Sequence, residues 1–280
     1  MALRIITDST AGISQEEAAE LDIGVVPLRS IFGKTEYLDG IDMTSEQFYE
    51  MLEAAEELPT TSQPTPHDFE VEYAKAQAVG DQILVITLPE NLSGTFQSAD
   101  IARKKSGADV ALIDSGNATL ALQLLVLRAI ALRDAGASRD EIVTIIEREK
   151  KSVRLLAAID TLDYLHKGGR LSKSSKIAGT LMNVKPIISL TNGEITIAGK
   201  ARGTQKAYEK MLELIDQEGG IDLSRPFAIG YTGARAPFEQ FNTLISKCYP
   251  QHTPIIDIVG SVIGTHAGPG AAAIAYFVHE

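Results

Sequence analysis

Apolar and polar residues follow one rhythm up to about residue 152 and another after it. In the first part, short apolar runs alternate with longer amphipathic stretches. Leu3-Arg-Ile-Ile-Thr7, Ile23-Gly-Val-Val-Pro-Leu28 (extended as far as Phe32), Gln82-Ile-Leu-Val-Ile-Thr87 and Asp109-Val-Ala-Leu-Ile113 read as buried strands. Ser14-Gln-Glu-Glu17 and Thr44-Ser-Glu-Gln47 are capping boxes that open helices, the second running to about Glu57. Thr65 caps another helix, with Pro66 at its first position. Further helices are predicted over 95–105, over 117–135, where nearly every face is apolar, and from Ser138-Arg-Asp-Glu141. The only hairpin signal here is Gly33-Lys34, so the alternation predicts an α/β domain around a parallel sheet.

From residue 153 the pattern changes. Arg154 to Ile159 reads as a strand and Thr161 to Lys167 as a short helix that stops at Gly168-Gly169. Lys185 to Thr191, the turn Asn192-Gly193, and Glu194 to Ala198 form a strong hairpin signal, because Asn-Gly suits a type I′ turn. A helix over about 204–217, strands over Pro226–Tyr231, Pro254–Val259 and Ala271–Val278, and a helix over 237–247 complete the series. Hairpins mixed with helices predict an α+β domain with a largely antiparallel sheet. The expected domains are therefore 1–152 and 153–280.

Composition narrows the function. A net charge of −11 argues against nucleic acid or an anionic membrane as the main partner. A single cysteine, Cys248, excludes an internal disulfide and a cysteine-based zinc site. The first residues enter a strand at once, without a signal-peptide pattern, so a cytoplasmic setting is expected. The most apolar run, Ala118 to Leu132, is too short to span a bilayer and is broken by Gln123 and Arg128. This predicts no integral membrane segment and leaves room only for transient membrane contact.

Ligands of parallel sheets gather at the C-terminal ends of strands. Asp8-Ser9, Thr61-Ser62, Ser93-Gly94-Thr95 and Asp114-Ser115 are candidates for that edge. The stretch Thr87 to Ser98 sits at a strand-to-helix turn, where unpaired N–H groups and the helix dipole favour an anion. Ser93 or Thr95 also suits a plain helix cap, and both readings stand. Three prolines in Leu58 to Pro66 make a rigid extended loop, which either fixes Thr61 and Ser62 or simply links two helices. Asp39 and Asp42 lack further ligands for a metal and read as a surface turn. His266 lies in Gly264-Thr-His-Ala-Gly-Pro-Gly270, read as a glycine-rich turn before an apolar strand. Gly168-Gly-Arg-Leu-Ser-Lys173 and Gly199-Lys-Ala-Arg-Gly203 read as basic loops, each either solvated or anion-binding.

Some chemistry is missing. Ser93 has no Gly-x-Ser-x-Gly elbow, there is no Walker A pattern, and the histidines lack metal-ligand spacing. Gly268-Pro-Gly-Ala-Ala-Ala273 fits a dinucleotide fingerprint in letters only, since no βαβ unit follows it. Two rival functions remain: an esterase or acyltransferase with Ser93 as nucleophile and His266 as base, and a sugar- or phospho-ligand protein using the two basic loops.

Taken in order, Thr7-Asp-Ser-Thr10, Thr61-Ser-Gln-Pro64, Leu92-Ser-Gly-Thr95, Asp160 to Arg170, Asn183-Val-Lys-Pro-Ile187, Gly199 to Gly203 and Thr265 to Gly270 resemble the DegV family. That family includes the fatty-acid-binding (FakB) component of bacterial fatty-acid kinase. The resemblance implies two α/β domains with a long-chain fatty acid, such as palmitate or oleate, held between them. It implies that Thr61 and Ser93 hydrogen-bond the carboxylate, that Ser62, Gly94 and Thr95 complete the pocket, and that His266 lies beside it. Arg170 and Arg202 would orient this network or face the kinase. The chain itself would have no catalytic residue, metal or cofactor. A separate ATP-dependent kinase would convert the bound acid into an acyl phosphate for phospholipid synthesis.

Overall fold

Proline at position 27 decides the first departure from a simple alternation. A central strand cannot continue through a residue without an N–H. In the computed structural model, which describes residues 2–171 and 184–279, the expected strand 23–32 breaks there into two. The elements up to the break are β1 (Leu3–Asp8), α1 (Gln15–Glu20) and β2 (Ile23–Val26). Then follow β3 (Arg29–Phe32), β4 (Thr35–Leu38), α2 (Ser45–Ala54) and β5 (Thr60–Ser62). The first half ends with α3 (Pro66–Val79), β6 (Gln82–Thr87), α4 (Thr95–Ser106), β7 (Val110–Asp114), α5 (Leu120–Asp134) and α6 (Arg139–Glu149).

Strands β1, β2, β6 and β7 form a wholly parallel sheet in the order β2-β1-β6-β7. Capping boxes close at Ser14, Thr44, Thr65 and Ser138. The segment displaced by Pro27 builds an unforeseen second sheet, β4-β3-β5, joined through the Gly33-Lys34 hairpin. The proline-stiffened stretch supplies its edge strand β5, so Thr61 is held by a ladder and not by a free loop. Asp39 is not on a surface turn either: it is 4% exposed and fully hydrogen-bonded.

The second half comprises β8 (Val153–Ala158), α7 (Asp163–Lys167), β9 (Val184–Thr191), β10 (Glu194–Arg202) and α8 (Thr204–Gln217). It continues with β11 (Ala228–Tyr231), α9 (Arg235–Cys248), β12 (Ile255–Ile258), α10 (Ser261–Ala267) and β13 (Ala272–Phe277). These strands form one six-stranded sheet, β10-β9-β8-β13-β11-β12, antiparallel except for the pair β11–β12. Asn192 and Gly193 both take positive φ, as the type I′ turn requires. Two expectations change. Lys200 and Arg202 belong to β10 and not to a loop, and His266 ends the helix α10 instead of lying in a turn. Asn183, Ser172 and Lys173, named in the sequence motifs, lie outside the described residues.

Helix α5 is buried between the two large sheets, and the largest apolar cluster runs through it from one to the other. The helix begins at Leu120, three residues later than its apolar run suggests, because Ser115 to Thr119 fold into a hydrogen-bonded loop. Helices α3 and α4 cover the far face of the parallel sheet, and α8 and α9 that of the mixed sheet.

Where α5 meets β12, Gln123 donates to Asp257 at 3.1 Å while its own Oε1 stays unpartnered. Burial, with Glu17 adding repulsion, pushes the Asp257 carboxyl up to about 7 from 3.8. A carboxyl raised on folding costs stability fully above its folded pKa, and the cost fades as pH falls from there toward the unfolded value. Asp257→Asn keeps an acceptor for Gln123 and offers its Oε1 a donor. The variant is expected to be more stable than the parent by about 1–3 kcal/mol at pH 8, with the gain shrinking by pH 5. Urea unfolding at the two pH values checks this. An equal gain at both would mean that ionisation is not its cause.

Candidate functional site

A cavity of about 330 Å³ lies between the C-terminal edge of the parallel sheet and the inner face of the mixed sheet. It exists because of small residues. Register places Ala157, Ala273 and Gly230 side by side across β8, β13 and β11; Leu120 packs against Gly230, and the methyl side chains of Ala157 and Ala273 leave the sheet's inner face low beside it. Leu28, Leu88, Leu155, Ile188 and Val262 are among the apolar walls. Residues of this kind offer a ligand contact area and no hydrogen bond.

One part of the lining is polar, and four elements supply it. Thr61 comes from β5, Ser93 and Gly94 from the loop before α4, Arg170 from the segment after α7, and His266 from the last turn of α10. Two carboxylates hold the loop before α4 through its backbone N–H groups. Buried Asp8 accepts from Leu88 N–H at 2.7 Å, and Asp114 accepts from Glu90 N–H at 3.2 Å. Asp8 and Asp114, candidates for the binding edge by sequence, thus build the loop that carries Ser93. Burial pushes the Asp8 carboxyl up to about 6, against the pull of its hydrogen bonds.

Two of the hydroxyl residues lining the cavity, Thr61 and Ser93, are each backed by a second polar group. Thr61 Oγ1 lies 2.9 Å from His266 Nε2, and Ser93 Oγ lies 2.9 Å from Thr95 Oγ1. Thr95 is fully buried behind Ser93. Neither Ser93 nor Thr95 caps α4. Its N-cap is Gly94, which makes no side-chain cap bond, so the helix-cap reading fails and the first N–H groups of α4 have no side-chain acceptor at the cap. Gly94 leaves room for the Gln63 amide, since a Cβ there would fall 2.1 Å from Gln63 Oε1 and that side chain would have to move aside. Gln63 in turn donates to Ser98.

Burial, with Arg170 adding repulsion, pushes the His266 imidazole down to about 4, so the ring is neutral near pH 7. Among the described residues its Nδ1 has no partner. A Cβ at Gly168 would come within 2.2 Å of that nitrogen, so the ring occupies space that only glycine leaves open. Arg170 donates to the Leu92 carbonyl at 3.2 Å and the Gly168 carbonyl at 2.7 Å. Among the described residues no carboxylate pairs with it, so its charge is available to an anion in the cavity.

Thr61, Ser62, Ser93, Gly94, Arg170 and His266 are therefore brought to one cavity, with Thr95 directly behind it. Arg202 is not: it is exposed at the end of β10. Ser93 and His266 share no hydrogen bond. Each is committed to a threonine, so the nucleophile–base pair of an esterase is not assembled. Gln63 and Asp39 were not marked as functional by sequence. Gln63 could have been, since it directly follows Thr61-Ser62, whereas Asp39-Gly40 looks like any surface turn. Among the described residues no acid, histidine or cysteine cluster could hold a metal, and no helix is long and apolar enough to cross a membrane.

A sequence model described as "Uncharacterised protein, DegV family" matches residues 2–279. A DegV domain-containing protein of Deinococcus radiodurans is 34% identical over 280 residues, covering 98% of each chain. A solved structure named for fatty acid binding of a DegV family protein from Thermus thermophilus superposes with a TM-score of 0.90 at 30% identity. It covers 99% of this chain and all of that one. DegV of Bacillus subtilis, named as a fatty acid binding protein, superposes with a TM-score of 0.88 at 31% identity over the whole of both chains. By full-length match to the family model and by identity to its members, this chain belongs to the DegV family.

Proposed function

We propose that the protein binds a long-chain fatty acid in this cavity and presents it to a separate ATP-dependent kinase. The acyl tail lies along the apolar walls between the domains 1–152 and 153–280. The carboxylate lies against Thr61 and Ser93, with Ser62, Gly94, Thr95 and His266 completing its pocket and Arg170 beside it. The observation that carries this reading is the joining of an apolar sheet face to a polar end with two backed hydroxyls and a guanidinium that, among the described residues, pairs with carbonyls but no carboxylate. The fatty-acid-binding descriptions of the Thermus and Bacillus proteins support the ligand class.

The electrostatics favour an ionised acid. With the His266 proton on Nε2, that N–H donates to Thr61, and the Thr61 hydroxyl proton turns to the cavity. Thr95 does the same for Ser93. Such donors stabilise a carboxylate by about 1.5–3 kcal/mol each. The tail supplies most of the affinity: a dozen buried methylenes at about 0.8 kcal/mol give on the order of 10 kcal/mol before ordering costs.

The kinase step rests on the motif resemblance and not on the cavity. In it the γ-phosphoryl group of ATP passes to the carboxylate oxygen, giving an acyl phosphate and ADP in the cytoplasm. Arg202, exposed and away from the cavity, is assigned to the kinase-facing surface. Extraction and native mass spectrometry of the purified protein should reveal a bound fatty acid, or uptake of palmitate or oleate by empty protein. A chain that is empty and takes up neither would end the reading. Arg202→Ala should still carry the acid but be turned over poorly by the kinase.

A further inference from the structure

A buried polar knot lies at the other end of the helix that carries His266. Asp39, at the base of the β3–β4 hairpin, accepts from the Ser261 N–H at 2.9 Å, the Ser261 hydroxyl at 2.7 Å and the Ser9 hydroxyl at 2.7 Å. Ser261 Oγ also lies 2.7 Å from Ser30 Oγ on β3. Asp39, Ser30 and Ser261 are each less than 5% exposed. These groups satisfy one another within the chain. Their arrangement needs another reason.

The register of the small sheet supplies one. Ser30 is the direct ladder partner of Thr61. Ser261 and His266 stand five residues apart on α10, about 7.5 Å along its axis. The sheet and the helix are thus joined at two rungs, Ser30–Ser261 at the buried end and Thr61–His266 at the cavity. Between the rungs α10 has little freedom. Tyr49 donates to the Val259 carbonyl at 2.8 Å, and a Cβ on Gly264 would lie 2.6 Å from the Tyr49 hydroxyl. A Cβ on Gly260 would lie 3.2 Å from Asp39 Oδ1, so the chain enters the knot by close backbone approach.

We propose that Asp39 is a positioning residue for the carboxylate pocket: through Ser261 and α10 it fixes the His266–Thr61 hydrogen bond that aims the Thr61 hydroxyl into the cavity. The identity of the ligand rests on the fatty-acid reading above, but the coupling of Asp39 to His266 does not. Asp39 is held by donors from both ends of the chain, Ser9 and Ser261, the latter 222 residues away in sequence. Loss of this anchor would let the helix slide or turn, and the ring at its far end would leave hydrogen-bond range of Thr61.

The test uses the full chain with ¹⁵N-labelled histidine, the His266 signals being assigned by their loss in His266→Asn. In Asp39→Asn, and in the milder Ser261→Ala, the His266 ring nitrogens are expected to shift from their parent positions. Affinity for oleate should fall about tenfold or more, while affinity for methyl oleate, which has no carboxylate to position, should stay at the parent value. If the His266 signals superimpose on the parent's, or oleate and methyl oleate weaken in parallel, Asp39 is only structural and the proposal is wrong. If the parent takes up neither lipid, the fatty-acid reading fails and the His266 shift alone decides the coupling. Should Asp39→Asn not fold, Ser261→Ala carries both measurements.

Discussion

Ala273→Phe is expected to fold, to melt no lower than the parent, and to lose fatty-acid affinity by about a thousandfold. Ala273 stands in the middle of the small-residue row, between Ala157 and Gly230, with the cavity directly above it. A phenyl ring there enters space that the core leaves unfilled, so it meets little of the overpacking that ordinarily accompanies such a change. It would displace about five methylenes of the tail, each contributing about 0.8 kcal/mol, which is about 4 kcal/mol or three decades of affinity. Displacement of a fluorescent fatty acid measures the affinity, and calorimetry the melting. Affinity close to the parent's would show that the tail does not cross this row.

The second large effect concerns the opposite end of the ligand. The double variant Thr61→Val with Ser93→Ala keeps the shape of β5 and of the loop but removes the two hydroxyls assigned to the carboxylate. At about 1.5–3 kcal/mol for each bond to a charged group, the loss should be about a hundredfold or more. It should fall on the acid and spare the fatty alcohol of the same length. Parallel loss for acid and alcohol would indicate a collapsed cavity and not a missing carboxylate contact. The single Ser93→Ala change should cost about 1–3 kcal/mol by the same reasoning.

Much of the fold was legible because its signals are local. The helix starts at Ser14, Thr44, Thr65 and Ser138, two of them read as capping boxes, and the Asn192-Gly193 turn each lie within a few residues, and each formed. The small sheet was not legible. Pro27 gave a reason for a break, but nothing nearby says that the chain beyond it pairs with Thr60 to Ser62, about thirty residues away. Asp39 was misread for the same reason: its partners Ser9 and Ser261 lie at opposite ends of the sequence. His266 was singled out correctly as unusual but placed in a turn, because α10 is seven residues long and bounded by the glycines that suggested one. At the candidate site, hydroxyls at strand ends could be anticipated from residue type and position. Their convergence, and the buried group behind each, depended on long-range packing that no spacing encodes.

The hollow in the sheet has a consequence for the life of the protein. Most of the apolar side chains around it belong to the largest apolar cluster, so the cavity is a gap in the core itself. On the proposed reading, a fatty acid lying there would complete that core. Binding would then add stability in proportion to the logarithm of free lipid, about 2.7 kcal/mol at a hundred times the dissociation constant. Unloaded copies would open more often and meet proteases sooner, while loaded copies would persist. The abundance of the protein would then follow the supply of its own cargo, with no sensor beyond the missing piece of its interior.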